Sequence, residues 1–181
     1  LSDRVDVVLR DGRTVYRQTI LENMSVVKKP EIEDEETGRK PEWSTVVKFE
    51  PSLKRFAGVK SLAALEPVFH ANVRRAAAFF GKRLTFSYNG DVVPQRTLVD
   101  YMTLHGFTDA NSVVVEAGPF RVGFGLAQQA THDSCVNGIG TYLGGKHVDA
   151  ALDVLYEYYT DWLKKNKATA SKAAIKSRIA V

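Results

Sequence analysis

Cys135-Val136-Asn137-Gly138-Ile139-Gly140-Thr141-Tyr142-Leu143-Gly144-Gly145-Lys146-His147-Val148-Asp149 is the stretch on which the reading of this chain turns. A short polar strand runs into two adjacent glycines, which let the backbone turn sharply and approach another surface closely. A helix is predicted from about His147. Its apolar positions, Val148, Ala151, Leu152, Leu155, Tyr156, Tyr159 and Trp162, form a one-sided stripe at helical spacing. Gly144, Gly145, Asn137 and His147 are therefore expected to serve the turn and carry no chemistry. The helix runs out in Lys164-Lys165-Asn166-Lys167.

Working back toward the N-terminus, Val5–Leu9 and Thr14–Ile20 read as two strands joined at Asp11-Gly12, a hairpin signal. Residues 28–42 read as a solvated loop, because Glu31, Glu33, Asp34, Glu35 and Glu36 repel one another and Pro30, Gly38 and Pro41 interrupt regular structure. Trp43–Phe49 reads as a strand ending at Pro51, which cannot donate to a ladder. Ser61 is placed to cap a helix reaching Phe80, with Leu62, Leu65, Phe69, Val73, Ala76 and Phe80 on its inner face. Pro67 within it predicts a kink, or a start nearer Leu65.

After Gly81, Leu84–Tyr88 and Val92–Pro94 read as a hairpin across Asn89-Gly90. Thr97 caps a short helix, Leu98–Leu104, with Tyr101 and Leu104 in the core. Ser112–Glu116 and Phe120–Gln128 read as strands. In the second, Val122, Phe124 and Leu126 alternate with Gly123, Gly125 and Ala127, leaving one small face for a covering helix. Ser171 begins a further basic helix. His132 and Asp133 are two titratable neighbours, but no nucleophile on a recognisable turn accompanies them.

The chain has 181 residues, 44% hydrophobic and 25% charged, with net charge +4. That supports one or at most two globular domains. No apolar run nears the ~20 residues of a membrane span, and no membrane partner is expected. The single cysteine, Cys135, fits a reducing compartment. A chain that starts at Leu1 reads as a piece of something longer. Six of the 25 basic residues fall between Lys164 and Val181, with no acidic residue among them. Such a cluster suits a phosphate backbone, and equally the negative end of the preceding helix. Arg74-Arg75 likewise suits DNA contact, a solvated face or an internal salt bridge. The sequence holds no phosphate-binding P-loop and no paired Cys or His spacing for a metal.

Four ordered blocks resemble the transducer domain of type IIA DNA topoisomerases, in its eukaryotic and large-phage form. They lie around Trp43–Phe56, Arg74–Pro94, Ser134–Asp149 and Lys164–Lys167. The resemblance spans about Val5 to Val181, with Cys135 standing where the family usually has Phe. It implies residues 1–181 as one transducer domain, with a hairpin region over 1–30 and a basic loop opening a helix over 164–181. The implied fold is α+β: a mostly antiparallel sheet of about four strands with helices on one face, containing the βαβ unit with left-handed crossover of second domains in GHKL ATPases.

The implied role is coupling of ATP binding and hydrolysis in a preceding GHKL domain to passage of one DNA duplex through another. ATP and Mg2+ would be held mainly outside this segment, which alone is not expected to be active. Lys164, Lys165 and Lys167, with Arg74 and Arg75, are the implied DNA contacts. The partners would be duplex DNA, the chain's own GHKL domain and DNA-cleavage core, and a second copy or the subunits of a phage-type enzyme. The setting would be intracellular, the nucleus in a eukaryote or the host cytoplasm and nucleoid for a phage. The rivals are the second domain of another GHKL ATPase, a non-catalytic DNA-binding module, and a small-molecule enzyme. The last would need convergent titratable groups that the sequence does not offer.

Overall fold

The computed structural model describes residues 2–34 and 41–181. Glu35, Glu36 and Gly38 of the expected acidic loop lie outside the described residues. The chain divides into two compact units, Leu1–Glu66 and Pro67–Val181.

The first unit is an antiparallel sheet. β1 (Ser2–Gly12) and β2 (Thr14–Leu21) form the expected hairpin, in register from Arg4↔Leu21 to Asp11↔Thr14. Gly12 turns it at φ +66°. β3 (Val26–Val27) and β4 (Glu31–Asp34) both pair with β2, and β5 (Glu42–Pro51) pairs with β1. The N-terminal hairpin therefore supplies the centre of this sheet and not its edge.

β4 corrects the reading of 28–42 as loop throughout. Its carboxylates are matched across the ladder: Glu33 meets Arg17 at 2.8 Å, and Asp34 accepts from Thr14 Oγ1 at 2.9 Å. Asp34 stands directly opposite Thr14 and Glu31 opposite Arg17, and Glu33 reaches Arg17 on the diagonal; such cross-strand partners let an acidic run hold an edge strand. The centre of the sheet is tied in the same way, with Thr19 Oγ1 donating to Asp6 at 2.7 Å and Trp43 Nε1 to Asp11 at 3.1 Å. A 3-10 turn over Leu53–Arg55 follows β5.

α1 (Glu66–Phe80) follows a 3-10 turn over Leu62–Leu65. Pro67 sits in its first turn, where an amide N–H has no helical partner to lose. The start near Leu65 thus holds, and the Ser61 side chain makes no capping bond. The expected inner face is displaced: Phe69 and Phe80 are exposed, whereas Arg75, Ala77 and Ala78 are buried. Small alanines let the second unit close on that side of the helix.

β6 (Ser87–Tyr88) and β7 (Asp91–Val92) make a hairpin shorter than expected, turned by Asn89 and Gly90 at φ +51° and +92°. Two positive φ values in a two-residue loop match the right-handed strand twist. α2 (Leu98–Leu104) carries a full capping box. Thr97 accepts from the Asp100 N–H, and the Asp100 carboxylate accepts from the Thr97 N–H. Tyr101 is core as expected, but Leu104 is exposed.

β8 (Ser112–Ala117) pairs with β9 (Phe120–Leu126). The small face of β9 is covered as its alternation predicts: a Cβ at Gly123 would collide with the Met102 sulfur of α2, and one at Gly125 with the Phe107 ring.

β10 (Cys135–Val136) and β11 (Ile139–Gly140) form a hairpin around Asn137-Gly138. α3 (Lys146–Lys165) is followed by α4 (Lys172–Lys176), capped by Ser171. The basic helix predicted from Ser171 is thus only five residues long. The chain then returns as β12 (Ile179–Ala180), antiparallel to β9 through Ile179↔Leu126 and Ala180↔Gly125. Both residues are buried; their apolar character outweighs the helical tendency of the preceding lysines. The sheet order is β12-β9-β8. The fold class is α+β, with five-stranded and three-stranded antiparallel sheets in place of one sheet of about four strands.

Candidate functional site

Arg75 marks the centre of a polar node in the second unit. It is 8% exposed, and a buried guanidinium needs a counter-charge and filled hydrogen bonds. Asp133, in the segment between β9 and β10, supplies both. Arg75 Nε donates to its Oδ1 at 2.9 Å and Nη2 to Oδ2 at 3.1 Å. The Tyr101 hydroxyl donates to Oδ2 at 2.5 Å. Arg75 Nη1 donates to Asn72 Oδ1 at 2.7 Å, and the Tyr142 hydroxyl reaches the same oxygen at 3.3 Å. The node therefore joins α1, α2 and the two segments that flank β10 and β11.

The electrostatics follow from this geometry. Burial works against the charge on Arg75, but the bonds and charge of Asp133 outweigh it and hold the guanidinium above its ordinary value. Burial also opposes ionisation of Asp133, yet donation from Arg75 and Tyr101 brings its carboxyl below the usual range. Burial first, then the bond to Asp133, pushes Tyr101 up to about 12. Cys135, beside this node, is half-buried, and desolvation raises its thiol. It is no activated nucleophile.

A second chain of bonds leads from this node to α3. Ser134 Oγ and Thr141 Oγ1 lie 2.6 Å apart, and Thr141 Oγ1 lies 3.2 Å from His147 Nε2. His147 is thus fixed in the first turn of α3, against the β10–β11 hairpin. Asn137 and Gly138 turn that hairpin at φ +51° and +81°. Gly144 and Gly145 have φ +73° and +146°, and Gly145, with ψ 179°, occupies the N-cap position of α3.

The two glycines differ in kind. Gly144 lies near the left-handed region, whereas the Gly145 conformation belongs to glycine alone. Gly145→Ala is expected to lower stability by about 1–3 kcal/mol and Gly144→Ala by about 1 kcal/mol, read as midpoints of urea unfolding. A larger loss at Gly144 would contradict the assignment.

Of the predicted DNA contacts, Arg75 is committed to the internal ion pair, the intramolecular reading of Arg74-Arg75. Arg74 is half-buried, with its Nε enclosed and without a protein hydrogen-bond partner. Lys164, Lys165 and Lys167 are exposed at the C-terminal end of α3. Lys164 lies 3.6 Å from Asp161, and Lys167 takes φ +53° where the chain leaves the helix. The arginines and lysines lie on different elements: Arg74 and Arg75 are on α1, with Arg75 tied to Asp133, and the lysines are at the C-terminal end of α3. Asp133 is the member the sequence reading set aside, Asn72 was not singled out, and Ser134, Thr141 and Tyr142 entered only as part of the Ser134–Asp149 block. The one hint was a charged Arg75 amid Ala76, Ala77 and Ala78.

No family model matches the chain. DNA topoisomerase 2 of Caenorhabditis elegans is 26% identical over 181 residues, covering 92% of this chain and 11% of that protein. The ATPase and transducer domains of DNA topoisomerase II from Balamuthia mandrillaris superpose with a TM-score of 0.83 at 24% identity, over 99% of this chain and 47% of that one. The ATPase region of Saccharomyces cerevisiae topoisomerase II gives 0.82 at 23%, with the same coverage. The chain spans about a tenth of the curated relative and just under half of each solved region. It therefore has the fold found in the ATPase and transducer regions of type II DNA topoisomerases.

Proposed function

We propose that this chain is the transducer segment of an ATP-dependent type IIA DNA topoisomerase. It would couple ATP binding and hydrolysis in a preceding GHKL domain to passage of one duplex through another. The observation that carries this reading is the superposition of 99% of the chain on topoisomerase II ATPase regions. The α3 geometry suits the role. Its 20 residues span roughly 30 Å, from a bonded network at His147 to lysines in solvent, so the helix can carry displacement as a rigid lever.

ATP and Mg2+ serve the full enzyme in this reading. The described residues hold no group of three or more His, Cys, Asp or Glu that could bind a metal, and none is assigned a nucleotide contact. The full enzyme would work as a homodimer or within a phage-type assembly, inside a cell, with residues 1–181 as its transducer portion.

The test is ATP hydrolysis by the natural full-length protein, with and without duplex DNA, alongside relaxation of supercoils. DNA-stimulated hydrolysis coupled to relaxation supports the reading. Hydrolysis without relaxation points to another GHKL ATPase. In the same protein, replacing Lys164, Lys165 and Lys167 with Ala is expected to weaken DNA stimulation several-fold and leave basal hydrolysis near normal. An unchanged DNA response removes the lysines from DNA contact.

A further inference from the structure

We infer that the C-terminal end of α3 binds unpaired DNA bases, with Trp162 and Tyr158 stacking on them while Lys164, Lys165 and Lys167 hold the phosphates. The inference rests on the DNA contact proposed above and names the form of DNA that this end recognises.

Three large apolar side chains stand out in one row of α3 at i, i+4 and i+8: Val154 is 69% exposed, Tyr158 68% and Trp162 51%. Lys165 follows on the same side, three residues past Trp162 and seven past Tyr158. Among the described residues, the ring contact in this row is Tyr158 edge-on to Tyr159, with centroids 6.0 Å apart.

The basic footprint is narrower than the sequence count suggests. Lys172 and Lys176 lie 2.6 and 3.4 Å from Asp153. Lys172 also lies over the Tyr156 ring, and Arg178 donates to the Gln128 carbonyl. That leaves Lys164, Lys165 and Lys167 for phosphate. Of the carboxylates on this face, Asp161 is partly offset by Lys164 at 3.6 Å, and Glu157 lies one turn earlier. Three lysines make a small duplex footprint. A duplex also keeps its base faces stacked, so it offers Trp162 and Tyr158 nothing to stack on. Unpaired bases offer a π-face of any sequence, and aromatics set among lysines are the usual single-strand platform.

The test measures binding of a labelled oligothymidylate and of a mixed-sequence duplex to the full-length protein, by fluorescence anisotropy. Trp162→Ala is expected to weaken oligothymidylate binding roughly five- to a hundred-fold and duplex binding less than about two-fold. Trp162→Phe, which keeps a ring and the helix packing, retains most of the affinity. Tyr158→Ala, at a more exposed position, gives a smaller loss in the same direction.

If the lysine variant weakens both probes while Trp162→Ala and Tyr158→Ala weaken neither, stacking is overturned and the lysine contact stands. If the lysine variant also changes neither probe, the DNA contact itself fails. If the aromatic variants shift the oligomeric state in size-exclusion chromatography without changing DNA affinity, the row is a protein interface and the inference is overturned.

Discussion

Asp133→Ala is expected to destabilise the Pro67–Val181 unit by about 3 kcal/mol, the lower end for breaking a buried ion pair. The removed carboxylate is the shared acceptor for Arg75 and Tyr101. Without it the guanidinium stays buried with a neutral hydrogen-bond acceptor, Asn72, and the Tyr142 ring 5.7 Å away. Some solvent already reaches Asp133, whose side chain is 34% exposed, which keeps the loss from being larger. Arg75→Met, which removes the buried charge and keeps much of the volume, is expected to cost less. A double-mutant cycle in urea separates the pair from its surroundings, and equal losses for the two single variants would show that the charge is not the issue.

The pH dependence has a definite sign. The Asp133 carboxyl is lowered in the folded state, so its stabilisation is present above the unfolded value and fades as pH falls through the folded one. Tyr101 is raised to about 12 from 10.0. Its contribution, roughly 2–3 kcal/mol by linkage, is present below the unfolded value and fades as pH rises through the folded one. Asp133→Asn should flatten the acid limb of a stability–pH curve and reduce the alkaline one. An unaltered acid limb would mean that the carboxylate is not coupled to folding.

Gly81→Ala is expected to cost about 2–3 kcal/mol, more than Gly123→Ala, although a new Cβ collides at both positions. At Gly81 the obstacles are backbone: the Ala77 carbonyl oxygen, Arg96 Cα at 2.7 Å and the Arg96 carbonyl oxygen at 3.1 Å. The end of α1 would have to separate from the segment before α2. At Gly123 the obstacle is the Met102 side chain, which can change rotamer at a cost below about 1.5 kcal/mol. Thermal melting of the two variants decides the order. A reversed order would show that the α1 end moves more readily than Met102.

The sequence by itself determined the elements whose signals are local. The Asp11-Gly12 and Asn89-Gly90 turns, the Thr97 cap and the α3 stripe from Val148 to Tyr159 each rest on residues within a turn or two of one another, so propensity and periodicity suffice; Trp162, read onto that stripe, is 51% exposed. The blocks resembling the topoisomerase transducer were legible for the same reason: they are short and ordered. Only the tertiary structure decided β4, β12 and the Arg75 node. An acidic run becomes a strand when Arg17 and Thr14 lie opposite it, and Ile179-Ala180 leaves the helical pattern because the edge of β9 is open to it. Arg75 and Asp133 are 58 residues apart. Nothing near either one announces the other, because burying an arginine becomes favourable only once folding has brought its counter-charge alongside.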